Sequence, residues 1–352
     1  MAGKRARRKD EGPSLFGGDE PRFSKRFEPR VVAGIDEAGL GPMLGPLSIG
    51  MSAFRVPSGS LNLWKALGDV VTGELERGGE RLVVADSKLV FTRNARGAER
   101  LERTVLAFEA VSRCEKRACA STRAFLESTA ERLRATGLAL EPWYAHLALR
   151  LAPECAGDAL AATIARLDAA LVAARVEIVA LAVRAVPPSE LNASFAVTES
   201  KGATHWRACV PFLAHVWERF GIEGVELVVD RHGGRMRYKP LLAETYPRAK
   251  IEVVRELPAI SEYLLMDDER RAMRVIFAEK AESISFAVAL ASCCAKYARE
   301  VCMGAFNAYF ETMQPGLAPT AGYVTDARRW LADAEVAIER SGIGSAALVR
   351  TR

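Results

Sequence analysis

Two neighbouring carboxylates, Asp36 and Glu37, close a short apolar run (Val31-Val32-Ala33-Gly34-Ile35). A glycine- and proline-rich turn holding Gly39, Gly41, Pro42, Gly45 and Pro46 follows at once. Successive side chains on a strand point to opposite faces, so both acids can flank one site only where the strand is ending. Glycines beyond them let a ligand or phosphate approach the backbone closely. Taken alone, such a pair is more often a solvated edge. A second apolar run, Val225–Val229, also ends on an acid, Asp230, and a further acid, Glu282, opens the apolar stretch that starts at Ser283. Carboxylates converging from strand and helix ends supply the hard oxygen donors that Mg2+ or Mn2+ takes. Two such ions can clamp an in-line phosphodiester displacement, one activating the attacking water and the other stabilising the leaving oxygen. His232, two residues past Asp230, reads as a loop histidine, because bound metal activates water without it.

The elements that must position these acids follow from hydrophobic periodicity. Arg30–Ile35, a short strand ending in Asp36, and Leu47–Val56 read as two strands joined by a short loop, an antiparallel hairpin. Residues 60–78 carry a helical pattern, Arg81–Val84 a strand, and Thr92 is placed to cap a helix running to about Val111. From 112 to 172 the chain is rich in Ala, Leu, Arg and Glu and is punctuated by Pro142 and Pro153. It reads as two or three helices inserted beside the main sheet. Val176–Val183, Val225–Val229, Ile251–Val254 and Met273–Phe277 are strand-like, the last two separated by Asp267-Asp268-Glu269. Residues 203–219, Ser283–Ala308 and Thr325–Glu339 are helical. Interleaved strands and helices define an α/β class with a mixed central sheet flanked by helices.

Composition bounds the function classes. The chain has 352 residues, 49% of them hydrophobic and 26% charged, as in ordinary globular proteins. No apolar run is long enough for a membrane span, and the basic N-terminus lacks a secretory core. The expected location is the cytoplasm. The formal charge is +5, but residues 1–30 hold nine Lys/Arg against five acids, so little of it belongs to the rest of the chain. Residues 1–29, with Lys4-Arg5-Ala6-Arg7-Arg8-Lys9, read as a disordered basic leader, and residues 30–345 as one catalytic domain. A groove for nucleic acid on that domain must be a local patch. Seven cysteines (114, 119, 155, 209, 293, 294, 302) include no C-x-x-C pair, and are expected to be reduced thiols rather than a disulfide framework or a zinc site. Cys293 and Cys294 are expected to pack in the core.

Several separated blocks, in order, resemble the type 2 ribonucleases H (ribonuclease HII and HIII). Gly34-Ile35-Asp36-Glu37-Ala38-Gly39 with Gly41-Pro42 and Gly45-Pro46 is similar to that family's opening signature. Asp86-Ser87-Lys88, Glu190-Leu191-Asn192, Val229-Asp230, Lys280-Ala281-Glu282, Ala291-Ser292-Cys293-Cys294-Ala295-Lys296 and Gly322-Tyr323-Val324-Thr325 are similar to its later blocks. The resemblance implies a ribonuclease H-like fold with Asp36, Glu37, Asp230 and Glu282 as catalytic metal ligands. It implies endonucleolytic cleavage of RNA paired with DNA, or of ribonucleotides embedded in duplex DNA, leaving 5′-phosphate and 3′-hydroxyl ends. Gly39 and Gly41 would sense the ribose 2′-hydroxyl. Ser87, Lys88 and Lys296 would lie near backbone phosphates, Ser292 is grouped with them, and Tyr323 would stack on a sugar.

The departures concern substrate grip. Leu40 stands where the family carries Arg or Lys between two glycines, and Ala321 where a basic residue usually precedes the Gly-Tyr block. Glu282 is more similar to the HIII branch, although the leader is too short for that branch's substrate-binding domain. The expected partner is nucleic acid, bound by a monomer, with the 112–172 insertion available to a protein partner. Two alternatives stay open: a hybrid-binding protein with weak catalysis, and a metal nuclease for another structured nucleic acid.

Overall fold

The computed structural model describes residues 27–76, 78–113, 122–132, 141–147 and 157–351. The basic run at 4–9, Cys114, Cys119, Cys155 and part of the 112–172 insertion lie outside the described residues. Nine strands occur among the described residues: β1 (Val31–Ala38), β2 (Leu47–Arg55), β3 (Val71–Thr72), β4 (Leu82–Val83), β5 (Glu177–Val186), β6 (Val225–Asp230), β7 (Lys250–Leu257), β8 (Ile260–Met266) and β9 (Ala272–Ala278). Seven of them form one sheet in the order β5-β2-β1-β6-β9-β8-β7. β1 runs antiparallel to β2 and parallel to β6, and β6 runs parallel to β9. The α/β class with a mixed central sheet flanked by helices, expected from the sequence, is the one observed.

The central strands are apolar on both faces because each face is covered. One face packs on the helix Lys201–Phe220, through Trp206, Phe212, Leu213 and Val216 against Ile35, Ile49, Leu227 and Val229. The other packs on the 28-residue helix Phe286–Met313. This long helix approaches so closely that a Cβ on Gly34 would lie 2.2 Å from the Val288 nitrogen, and one on Gly50 2.2 Å from the Ala291 carbonyl oxygen. Gly34 and Gly50 sit on adjacent strands, and small helix residues (Ala287, Ala291, Ala295) face them. Ser52 Oγ donates to the Ala287 carbonyl at 2.8 Å and fixes the helix along the strand. Within the 112–172 region, Phe125 packs on Tyr297 and Trp143 on Phe306 of this same helix, whereas the helix Asp158–Ala174 packs on the helix Ala95–Ser112.

Four expectations about elements are corrected. Residues 60–78 form only a short helix, Leu63–Ala66 capped by Asn62; beyond it the β-branched Val71 and Thr72 pair in parallel with Leu82 and Val83. The helix expected from Thr92 starts at Ala95, with Asn94 as its cap. β8 was not foreseen, because Ser261 and Glu262 interrupt its apolar pattern; Glu262 is buried there by ion pairs with Arg255 (2.7 Å) and Arg274 (3.3 Å). The final helix is two, Val324–Asp333 and Glu335–Ser341, separated at Ala334. Among the described residues no helix is long and apolar enough to cross a membrane.

The close approach makes a stability prediction. Gly34→Ala and Gly50→Ala should each lower unfolding free energy by about 3 kcal/mol or more, or fail to fold, since backbone atoms must move to admit the methyl. Gly304→Ala, on the same helix with nothing within 4 Å of its added Cβ, should instead stabilise by roughly 0.5–1 kcal/mol. Urea midpoints of the three variants check this.

Candidate metal centre

Parallel pairing of β1 with β6 stops at Ile35 and Val229, and the next residues on the two strands are Asp36 and Asp230. β1 itself does not end there: it stays paired with β2 as far as Ala38, opposite Ser48. The acids thus occupy a strand edge released on one side only, which corrects the expectation that the strand ends at Asp36. Strands lie about 4.8 Å apart, so register alone sets these two carboxylates side by side. Glu37 starts from the opposite face, but its longer side chain completes the group. One carboxylate oxygen from each of Asp36, Glu37 and Asp230 lies within 4.8 Å of the others.

Glu282 approaches from the short turn Ala281–Ser283 that follows β9. The turn docks on the site through its backbone: the Ala281 N–H donates to Asp230 Oδ1 at 3.4 Å. Glu282 is near enough to raise the Asp230 pKa, yet it falls outside the tight group of three. Three of the four predicted ligands are brought together, and the fourth stands at their margin.

The electrostatics are those of a site short of positive charge. Burial, then the charges of Glu37 and Asp230, raise the Asp36 carboxyl well above its ordinary value, against a lowering hydrogen bond from Ser292. Burial, then Glu37, with a further contribution from Glu282, push Asp230 up to about 6. Three oxygen donors that repel one another when ionised suit a divalent hard cation, which removes the repulsion.

The remaining predicted residues fall into three sets. Ser87 and Ser292 are buried, and the Ser292 hydroxyl donates to that of Ser87 at 3.0 Å; Ser292 also stands near enough to Asp36 to lower its carboxyl pKa. Lys88 is exposed just past Asp86, whose side chain caps the short helix Ser87–Val90. Lys296 pairs with Glu300 and lies over the Phe91 ring, 4.7 Å from its centroid. Tyr323 is 49% exposed, and its neighbour Gly322 accepts from the Met43 and Leu44 N–H groups, which places Tyr323 beside the glycine-rich turn.

That turn is held by residues the sequence reading missed. Gly39 has a φ of +89°, a conformation that glycine adopts without strain. The buried Arg350 guanidinium donates to the Gly39 and Gly45 carbonyls, and the buried Arg299 guanidinium to those of Leu44, Pro46 and Ala321. Burial, then the neighbouring Arg299 charge, bring Arg350 down to about 9. Asn192 clamps the segment carrying Arg350: its Nδ2 donates to the Ala346 and Val349 carbonyls, and its Oδ1 accepts the Thr351 N–H. Gly41 has open space around it. Leu40 packs partly buried at the edge of the apolar layer under the Lys201–Phe220 helix.

Behind Glu37, His205 Nε2 stands 3.5 Å from Glu37 Oε2. Burial would lower the His205 imidazole, but Cys209 and Glu37 outweigh it and raise it well above its ordinary value. His232 is no solvated loop histidine: it is buried against His205, ring centroids 4.0 Å apart. Its backbone N–H donates to the Tyr238 hydroxyl, and Tyr238 stacks on Phe277. Lone histidines at 205 and 232 carry no spacing signal; the sheet alone brings them together.

No protein-family model matches the chain, and no curated protein sequence matches it. Among solved structures it is similar to ribonuclease H2 from Pyrococcus horikoshii OT3, with 17% identity and a TM-score of 0.38 over 92% of this chain and 93% of that one. It is similar to a structure of the PCNA:RNase HII complex from Archaeoglobus fulgidus (15% identity, TM-score 0.38, 92% and 94% coverage). It is also similar to Bst-RNase HIII in complex with Mn2+ (14% identity, TM-score 0.41, 97% and 72% coverage). At these scores the likenesses carry no functional weight.

The raised Asp230 pKa has a stability consequence. An acid titrating near 6 when folded and at its ordinary 3.8 when unfolded makes the folded protein bind more protons in that window. Stability is therefore fuller below about pH 4 and falls as pH rises through 6. Without divalent metal, Asp230→Asn should be more stable than the wild type at pH 8 by about 1–3 kcal/mol, the gap closing at pH 4. Urea denaturation at the two pH values, with and without Mn2+, checks this. Added Mn2+ should stabilise the wild type and leave the variant little changed.

Proposed function

We propose that the chain is a type 2 ribonuclease H: an endonuclease hydrolysing the RNA strand of RNA/DNA hybrids, or ribonucleotides embedded in duplex DNA. The observation that carries this reading is the grouping of Asp36, Glu37 and Asp230 within 4.8 Å at the released edge between β1 and β6. The order of the flanking blocks, from Gly34 to Thr325, supports the choice of substrate class.

Asp36, Glu37 and Asp230, with Glu282 at the margin, would hold the divalent cation. Bound Mg2+ or Mn2+ supplies Lewis acidity toward the attacking water and the departing 3′-oxygen of the phosphodiester. The protein's own contribution is position. The Ala281 N–H orients the Asp230 carboxylate, and Ser292 stands beside that of Asp36. The exposed Gly41 backbone leaves room for a sugar edge, and Tyr323 lies beside it for stacking. Hydrolysis at the 3′-oxygen leaves a 5′-phosphate and a 3′-hydroxyl. Arg299 and Arg350 hold the turn through its carbonyls, so they shape it without offering free charge to phosphate. Substrate grip then depends on shape and backbone donors more than on surface cations.

The test is a panel of labelled RNA/DNA hybrid, DNA duplex with one embedded ribonucleotide, and all-DNA duplex, in Mg2+ and in Mn2+. The wild type should cut only ribose-containing strands. Asp36→Asn and Asp230→Asn should each lose about 10³-fold or more in rate, several kcal/mol of transition-state stabilisation. Full activity in both variants, or no cleavage in either metal, overturns the reading. Tight hybrid binding without turnover would instead favour a hybrid-binding protein.

A further inference from the structure

The buried side chains behind Glu37 form a second group of metal-ligating atoms that the nuclease reading does not use. His205 and Cys209 are four residues apart on the Lys201–Phe220 helix, so they project from one face. His232 joins them from the loop after β6. One ligand atom from each lies within 4.8 Å of the others, and Cys209 Sγ is 3.7 Å from His232 Nε2. The three residues are 1%, 1% and 6% exposed. One of the ring nitrogens the cluster offers, the buried His205 Nε2, makes no hydrogen bond, with Glu37 Oε2 3.5 Å away. Buried polar atoms are almost always satisfied, so a donor atom left unpaired in such a cluster calls for an explanation. Trp206, Tyr238 and Phe277 pack around His232, so the surroundings are apolar.

The spacing of these donors is that of a cation-binding group. Donors held about 2.0–2.3 Å from a tetrahedral ion stand roughly 3.3–3.7 Å from one another. The Cys209–His232 separation of 3.7 Å and the His205–Glu37 separation of 3.5 Å match such edges. Thiolate and imidazole favour a borderline-soft ion, whereas Asp36 and Asp230 favour a hard one. His205 also lines a narrow cleft with Leu40, Leu191, Phe195 and Arg350.

We propose that His205, Cys209 and His232, with Glu37 as fourth donor, form a tetrahedral site for a zinc-class divalent cation, distinct from the hard-cation centre. Binding releases the Cys209 thiol proton and the proton of the His205 imidazolium to solvent. The expectation that these cysteines take no metal, drawn from the missing C-x-x-C pair, is replaced for Cys209. Glu37 faces both sites, so a zinc-class ion draws it from the Asp36–Asp230 side and weakens Mg2+ or Mn2+ binding there.

The test uses the full chain, stripped of metal by a chelator and titrated with Co2+ as a spectroscopic probe. One equivalent should produce a thiolate-to-cobalt charge-transfer band in the near ultraviolet, with visible bands of four-coordinate cobalt. Zn2+ should abolish both, and excess Mg2+ should not. Cys209→Ser, with its fold checked by circular dichroism, should lose the charge-transfer band; Cys294→Ala, altering a buried cysteine elsewhere in the core, should keep it. Mn2+ affinity, followed by electron paramagnetic resonance, should fall at least several-fold once Zn2+ is bound. No charge-transfer band in the wild type, or an undiminished band in Cys209→Ser, overturns the site. If Cys209→Ser does not fold, the wild-type titration decides alone. None of these readouts needs nuclease activity, so failure of this site and failure of the nuclease reading are distinguishable.

Discussion

β1 and β6 stop pairing at Ile35 and Val229, and the next residue on each strand is an aspartate. Two carboxylates a strand spacing apart, with Glu37 beside them, repel one another once ionised, and burial makes the repulsion worse. The raised Asp36 and Asp230 pKa values are the measure of that cost. A fold carries such a defect only if the surrounding strands are fixed by something else. Here the apolar layers on both faces of the sheet fix them, and the acids follow from the register.

The long helix Phe286–Met313 does most of the fixing on the Asp36 face. It reaches the backbone itself at Gly34 and Gly50, and this close approach carries Ser292 to Asp36 and Ser87 to Ser292. A larger side chain at either glycine would lift the helix and part Ser292 from the carboxylate. Close packing and site geometry are therefore one constraint here.

The glycine-rich turn is governed from the far end of the chain. Arg350 grips it through Gly39 and Gly45, and Asn192 in turn grips the segment carrying Arg350. Glu190-Leu191-Asn192 thus has a structural use for its asparagine: it holds the chain's last turn against its first. Both buried arginines spend their donors on carbonyl oxygens, which stiffens the turn and withholds their charge from solvent. Leu40, where a basic side chain was expected from the resemblance, packs inward instead.

Much of this protein is legible in its sequence, for local reasons. Runs such as Val225–Val229 are apolar enough to be strands buried on both faces, and Gly34 to Pro46 can only be a strand meeting a turn. The acids at 36, 37, 230 and 282 stand out because each follows or opens such a run. The sequence misleads where long-range partners outweigh local pattern. β8 hides because Glu262 is paid for by Arg255 and Arg274 on neighbouring strands. Residues 60–78 look helical until Val71 and Thr72 find Leu82 and Val83. The kinds of ligand available, and the strands that would carry them, were thus determined by sequence alone. Which ligands meet was decided only by tertiary structure: three acids close together, Glu282 at the margin, and His205, Cys209 and His232 behind Glu37. The physical reason is that meeting depends on strand register and helix approach, and both are set by packing between residues far apart in the chain.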